Sequence, residues 1–284
     1  MEGRIGGEMK PTLEEIREMG AALEQWLRMR VHPIGVRMLK GREELPEGTI
    51  IPTRDWGHKH ALCQSFARSQ RNGETIAMFK EDHWCPEPVV GLGLTEPIPE
   101  FIEGHHRYPD SVRDMRAAEE WAKNMPRLEY GIYTGIISAP IHACGFMPDL
   151  ILMHVNGMMT SQLLIIKNWI DGKDVISQLS GHAVCVYAIA PSLLKRECNI
   201  SIPCKGDRRL AMAQDDEILF TLIPEMLPDF IAGIHWLQDH NWGMPMVQLY
   251  KEEYDLKPGY KKLGEKLGLD LRSSPPRQQK FQKY

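Results

Sequence analysis

His60-Ala61-Leu62-Cys63 and His182-Ala183-Val184-Cys185 are near-copies of one another, and the architecture is built around them. The second repeats the first at an offset of 122 residues, and a fainter pair, Pro99-Glu100-Phe101-Ile102-Glu103-Gly104 and Pro228-Asp229-Phe230-Ile231-Ala232-Gly233, stands 129 apart. Self-similarity at one long offset is the mark of a repeated supersecondary unit. In each copy the first cysteine opens a predicted helix, a short strand follows, and a second cysteine lies just past it: Cys63 with Cys85, and Cys185 with Cys204. Two such units packed about a pseudo-twofold axis would bring four thiols together. Coincidence is the alternative, because tetrapeptide matches are cheap.

Outward from the two cysteine units, apolar spacing gives the rest of the elements. Leu13 to Leu27 reads as an amphipathic helix, followed after Pro33 by the strand Ile34 to Leu39. Ala61 to Arg71 reads as a helix stopped by Asn72-Gly73, with the strand Thr75 to Phe79 behind it. Val89 to Leu94 is a further short apolar run. The polar middle, Glu100 to Arg127, carries His105-His106 and one helix around Val112 to Lys123. Gly131 to Ala139 and Leu150 to Val155 suit neighbouring buried strands. Thr160 to Ile170 and Ala183 to Arg196 read as helices, Asn199 to Ile202 and Glu217 to Ile223 as strands, and Met226 to Leu237 as a helix. The mixture predicts an α+β (mixed α/β) fold. It would form one large domain over residues 10–240, in two similar, intimately packed halves of about 30–128 and 129–240.

Residues 241–284 carry nine Lys and Arg against five Asp and Glu and end in Ser-Ser-Pro-Pro-Arg-Gln-Gln-Lys-Phe-Gln-Lys-Tyr. That composition buries little by itself. It predicts a C-terminal extension, either disordered or an arm that docks on a partner or makes a homo-oligomer.

Composition narrows the function. A formal charge of −4 argues against general nucleic-acid binding, which depends on clustered Lys and Arg neutralising phosphates. The most apolar stretch, Ile132 to Met159, is broken by Pro140, His142, Pro148, Asp149 and His154, so no membrane span is expected. The N-terminus lacks the charged-then-apolar order of a secretory signal, which points to the cytoplasm. Six cysteines in 284 residues are too few for a disulfide scaffold, and in a reducing compartment they read as thiols or metal ligands.

A thiol near a helix N-terminus has its thiolate favoured by unpaired backbone N–H groups, and the thiolate is the form that binds metal. Cys63 and Cys185 fit that placement. No short-range metal motif, phosphate-binding loop, nucleophile elbow or complete dinucleotide turn is present.

Cys63-Gln64-Ser65-Phe66-Ala67, then Glu81-Asp82-His83-Trp84-Cys85-Pro86 and Leu92-Gly93, resemble the first half of the family catalogued as domain of unknown function 169. Phe146-Met-Pro-Asp-Leu-Ile-Leu, Ser180-Gly181, Cys185 and Ile202-Pro203-Cys204-Lys205-Gly206-Asp207-Arg208 resemble its second half, over about residues 15 to 240 in all. The resemblance implies Cys63, Cys85, Cys185 and Cys204 as the ligands and leaves Cys144 and Cys198 out, expected to matter for neither metal nor stability. Ligand pairs in distant halves suit a 4Fe-4S cluster better than structural zinc, which usually takes ligands from local loops.

The expected function is that of a reductase-type iron–sulfur enzyme acting on a small organic substrate, with electrons from a donor protein. A non-enzymatic electron carrier or redox sensor, and a Lewis-acid hydratase or hydrolase with an open iron, are the alternatives. Candidate groups around the metal are Asp207 and Arg208 for an anionic substrate, His60 and His182 for proton transfer, and Gln64 beside Cys63. Each also has an ordinary structural reading, as a turn-pinning ion pair, a half-buried histidine or a solvent-facing amide.

Overall fold

The computed structural model describes residues 10–240 and 258–269. Helix α1 (Leu13–Leu27) is followed by β1 (Ile34–Leu39), the turn α2 (Pro52–Asp55), α3 (Leu62–Asn72) and β2 (Ile76–Phe79). Then come α4 (Pro86–Gly91), α5 (Pro99–Ile102), α6 (Met115–Asn124), β3 (Gly135–Pro140) and β4 (Leu150–Asn156). The chain continues through α7 (Gly157–Asp171), α8 (Val184–Lys195), β5 (Asn199–Ser201), α9 (Lys205–Leu210), β6 (Glu217–Leu222), α10 (Leu227–Asp239) and α11 (Pro258–Lys266). The fold is α+β, with one antiparallel sheet. Apart from α11 and the residues next to it, the predicted C-terminal arm lies outside the described residues.

Local chemistry sets these boundaries. Thr12 caps α1 through a capping box with Glu15, and Gly73 takes the left-handed conformation (φ +76°) that ends α3. Val89 to Gly91 belong to α4, started by Pro86 at its first position, where a missing N–H costs nothing.

Strand order is β2-β3-β1-β4-β6-β5, with every pair antiparallel. This order reads the same from either end if β1, β2 and β3 stand for β4, β5 and β6. β1 and β4 meet at the centre, where Gly35 faces Ile151. β1 to β3 and β4 to β6 each run strand, helix, edge strand, helix, inner strand, two three-stranded units, and β3 pairs with β1 and β2. The short echo at His60 and His182 marks equivalent positions. The fainter echo does not: Gly104 ends a turn after α5 in left-handed backbone, whereas Gly233 lies inside α10 on the other side of the sheet.

Strand residues alternate between two apolar layers. Ile34, Val36, Met38, Ile76, Met78, Ile136, Leu150, Leu152 and Leu219 share a core with α3, α4 and α8. Ile151, Met153, Val155, Phe220 and Leu222 face α1, α7 and α10. Both faces are covered, which is why the strands read as apolar runs rather than clean alternation. On the first face α3 packs against α9 and α8 against α4, so each unit's long helix touches the other unit's short one.

Candidate metal centre

All four expected cysteines open onto one cavity of about 330 Å³ on the α3/α8 face. Cys63 is the second residue of α3 and Cys185 the second of α8, while Cys85 and Cys204 are the residues that cap α4 and α9. Four helix N-termini therefore converge on one space. Backbone N–H groups point at the sulfurs: those of Cys63 and Gln64 at Cys63, that of Glu87 at Cys85, and those of Gly206 and Asp207 at Cys204. Two backbone bonds of a parallel bridge, His60 N–H to the Asp82 carbonyl (2.8 Å) and Trp84 N–H to the His60 carbonyl (3.1 Å), tie the two cysteine segments of the first unit together.

The four sulfurs are close enough for each to feel the charge of another, and Cys185 feels the other three. Among the described residues no three of them lie all within 4.8 Å of one another. Burial, with the neighbouring Asp207, Glu87 and sibling thiols, pushes every one of these thiols up, Cys204 to about 11 and the others further. Burial therefore outweighs the helix N-termini in the free thiols, and four thiolates can coexist here only around a cation.

Cys144 and Cys198 are buried elsewhere. Cys144 donates to the Phe146 carbonyl (3.1 Å) under Gly35, and Cys198 lies in the α7/α10 core, 3.8 Å from the Met226 sulfur. Neither lines the cavity. Both fill core space, so removing either costs packing energy.

The other expected residues divide. Asp207 is buried at the cavity wall, its Oδ2 accepting from the Cys204 N–H at 3.1 Å. His182 lines the cavity, edge-on to Trp121. Arg208 turns away and donates to the Gln214 carbonyl (2.7 Å) and Asp215 (3.3 Å), pinning the 212–216 loop. His60 sits behind the cysteines against Trp56 and His58 and does not reach the cavity. Gln64 caps α3 through the Ala61 N–H (2.8 Å) and accepts from the Trp84 indole (3.1 Å), which positions Trp84 beside the mouth.

Three wall residues were not singled out from sequence. Glu87 accepts from the Cys85 thiol at 2.7 Å and pairs with Arg107 at 2.7 Å, in an ion pair with both side chains almost wholly buried. Arg107 lies 3.9 Å over the Trp121 ring, and its Nε has no hydrogen-bond partner among the described residues. His106 stacks on Phe101 and has neither ring nitrogen partnered. The sequence signal was the Arg107 that follows His105-His106, an arginine in a segment with no other sign of burial. Ala183, just before α8, holds left-handed backbone (φ +53°), a strained turn for a residue with a Cβ beside the site.

With this geometry in place, the chain is a member of the DUF169 family, described as "Uncharacterised ArCR", whose model matches residues 22–233. It is 24% identical over 225 residues to the uncharacterized protein MJ0308 of Methanocaldococcus jannaschii, across 78% of this chain and 94% of that protein. No solved structure matches the chain. No helix among the described residues is long and apolar enough to cross a membrane.

Proposed function

We propose that Cys63, Cys85, Cys185 and Cys204 hold a 4Fe-4S cluster and that the protein is a cytoplasmic reductase acting on a small organic substrate, supplied with electrons by a donor protein. The observation that carries this reading is the meeting of four cysteines, two from each unit, at one cavity. Donor chemistry fits: thiols only, with backbone N–H groups aimed at three of the sulfurs, the kind of hydrogen bonding that tunes cluster potential. Ligand pairs drawn from distant segments of the chain support a cluster over structural zinc, which usually takes its ligands from local loops. Bound there, the cluster would supply one-electron transfer.

The chain's own residues furnish the rest of a site. Arg107 lines the cavity wall with its charge already met by Glu87, so it supplies a polar contact for a substrate rather than a free cation. His106 and His182 have pKa values lowered by burial, so at neutral pH each is an uncharged imidazole able to accept a proton or pass one on. Trp84 and Leu210 present apolar surface at the cavity and limit water. A substrate pocket beside the thiols favours an enzyme over a carrier, which needs only a docking face. Four available thiols favour electron transfer over Lewis-acid hydration, which needs an iron left open.

Anaerobic purification with iron and acid-labile sulfide analysis is the test. Iron and sulfide in near-equal amounts are expected, lost in each single Cys→Ala variant of the four and kept in Cys144→Ala and Cys198→Ala. Stoichiometric zinc without sulfide would refute the cluster.

A further inference from the structure

A cluster of metal-ligating side chains stands apart from the thiols, where Glu24, His32 and His142 bring one ligand atom each within 4.8 Å of the others. They come from α1, from the segment before β1, and from the 3-10 turn Ile141–Ala143. Glu24 Oε1 lies 2.7 Å from His32 Nδ1, Glu24 Oε2 lies 3.9 Å from His142 Nδ1, and the two imidazoles meet edge to face at 4.6 Å. A His–Glu hydrogen bond alone would explain His32. It does not explain a second imidazole brought from another element to the same carboxylate.

The backbone under this group is fixed. The His32 N–H donates to the Gln70 carbonyl (3.1 Å), the Ile141 N–H donates to the Pro33 carbonyl (2.8 Å), and fully buried Ile141 packs against Gly20 of α1. Only side-chain rotation separates the three ligand atoms from binding distance. Nearby positive charge is engaged elsewhere: Arg30 is paired in a fork with Asp216 (2.8 Å twice), and Arg71 donates to the Met212 carbonyl.

We propose that Glu24, His32 and His142 form a binding site for one divalent first-row transition ion. Two imidazoles and a carboxylate select such an ion over calcium or magnesium, and three protein ligands leave further coordination positions to water. Each of the three side chains is part-exposed, so an ion enters from solvent without opening the fold. Gln70, which holds His32, is seven residues along α3 from Cys63, so the two sites lie on the order of 10 Å apart along that helix and share no ligand. The site does not depend on the cluster reading.

Anaerobic titration of the purified full-length protein with Co²⁺, followed by absorption spectroscopy, tests this. One equivalent should bind with weak visible bands and without the intense near-ultraviolet band of thiolate-bound cobalt. His142→Ala and Glu24→Gln should each weaken that binding at least about tenfold, since even outer-shell losses cost that much, with iron and sulfide content unchanged. If His142→Ala does not fold, His142→Gln leaves the buried Ile141 anchor in place and should weaken binding likewise. No cobalt bound, binding undiminished in the variants, or thiolate-type bands alone would each overturn the site.

Discussion

Gly91→Ala probes the contact that brings the two units' helices together. Gly91 ends α4, and a Cβ built on it would lie 2.5 Å and 2.6 Å from the two methyls of Val186 on α8. Carbon atoms settle at about 3.5–4.0 Å, so α4 and α8 must part by about 1 Å. Val186 is fully buried and cannot swing away. Overpacking of this kind costs about 1–3 kcal/mol, and alanine's advantage over glycine in a helix returns at most about 1 kcal/mol, less at a terminal position. The net loss should be about 1–2 kcal/mol, read as a melting temperature lowered by about 2–4 °C per kcal/mol. Because α4 starts at Cys85 and α8 carries Cys185, metal content should fall as well. Val186→Ala alone should also destabilise, by cavity formation, but in the double variant the new methyl occupies the vacated space. Urea denaturation of all four proteins should then show a favourable coupling of about 1–2 kcal/mol. Strict additivity, or a Gly91→Ala protein with the parent's stability and metal content, would refute the account of this contact.

Arg107→Met should destabilise by about 3–5 kcal/mol because it strands Glu87 without its partner, while the Glu87→Gln/Arg107→Met pair should recover most of that in urea melts. His154 has its pKa lowered to about 4 by burial, with Nδ1 2.8 Å from Gln70 Nε2. The unfolded chain therefore takes up the proton first: stability is full above about pH 6.5 and is lost as pH falls toward 4, by at most about 3 kcal/mol, and His154→Gln should flatten that slope. Cys144→Ala and Cys198→Ala should keep the parent's metal content yet lower the unfolding free energy read from urea melts by about 1 kcal/mol each, as expected for a lost buried sulfur.

The longer helices, the strands and four ligand candidates were legible in the sequence, whereas the short helices α2, α4, α5 and α9 were not. Apolar spacing and Gly73 mark element boundaries through interactions a few residues long, and such local forces are legible in one dimension. The His-Ala-x-Cys echo is legible because the repeated thing is itself local, a cysteine on the first turn of a helix followed by an edge strand. What those residues meet is set by packing between distant segments. Arg208 adjoins the ligand segment in sequence but, on a short helix, points to the 212–216 loop, while Arg107 and Glu87, twenty residues apart, make a buried pair at the cavity. Glu24, His32 and His142 carry no spacing motif, since three different elements contribute one ligand each. The thiols' protonation also belonged to the tertiary level: the helix N-termini that favour thiolates are local, but the burial that outweighs them is created only when α3, α4, α8 and α9 close on one another.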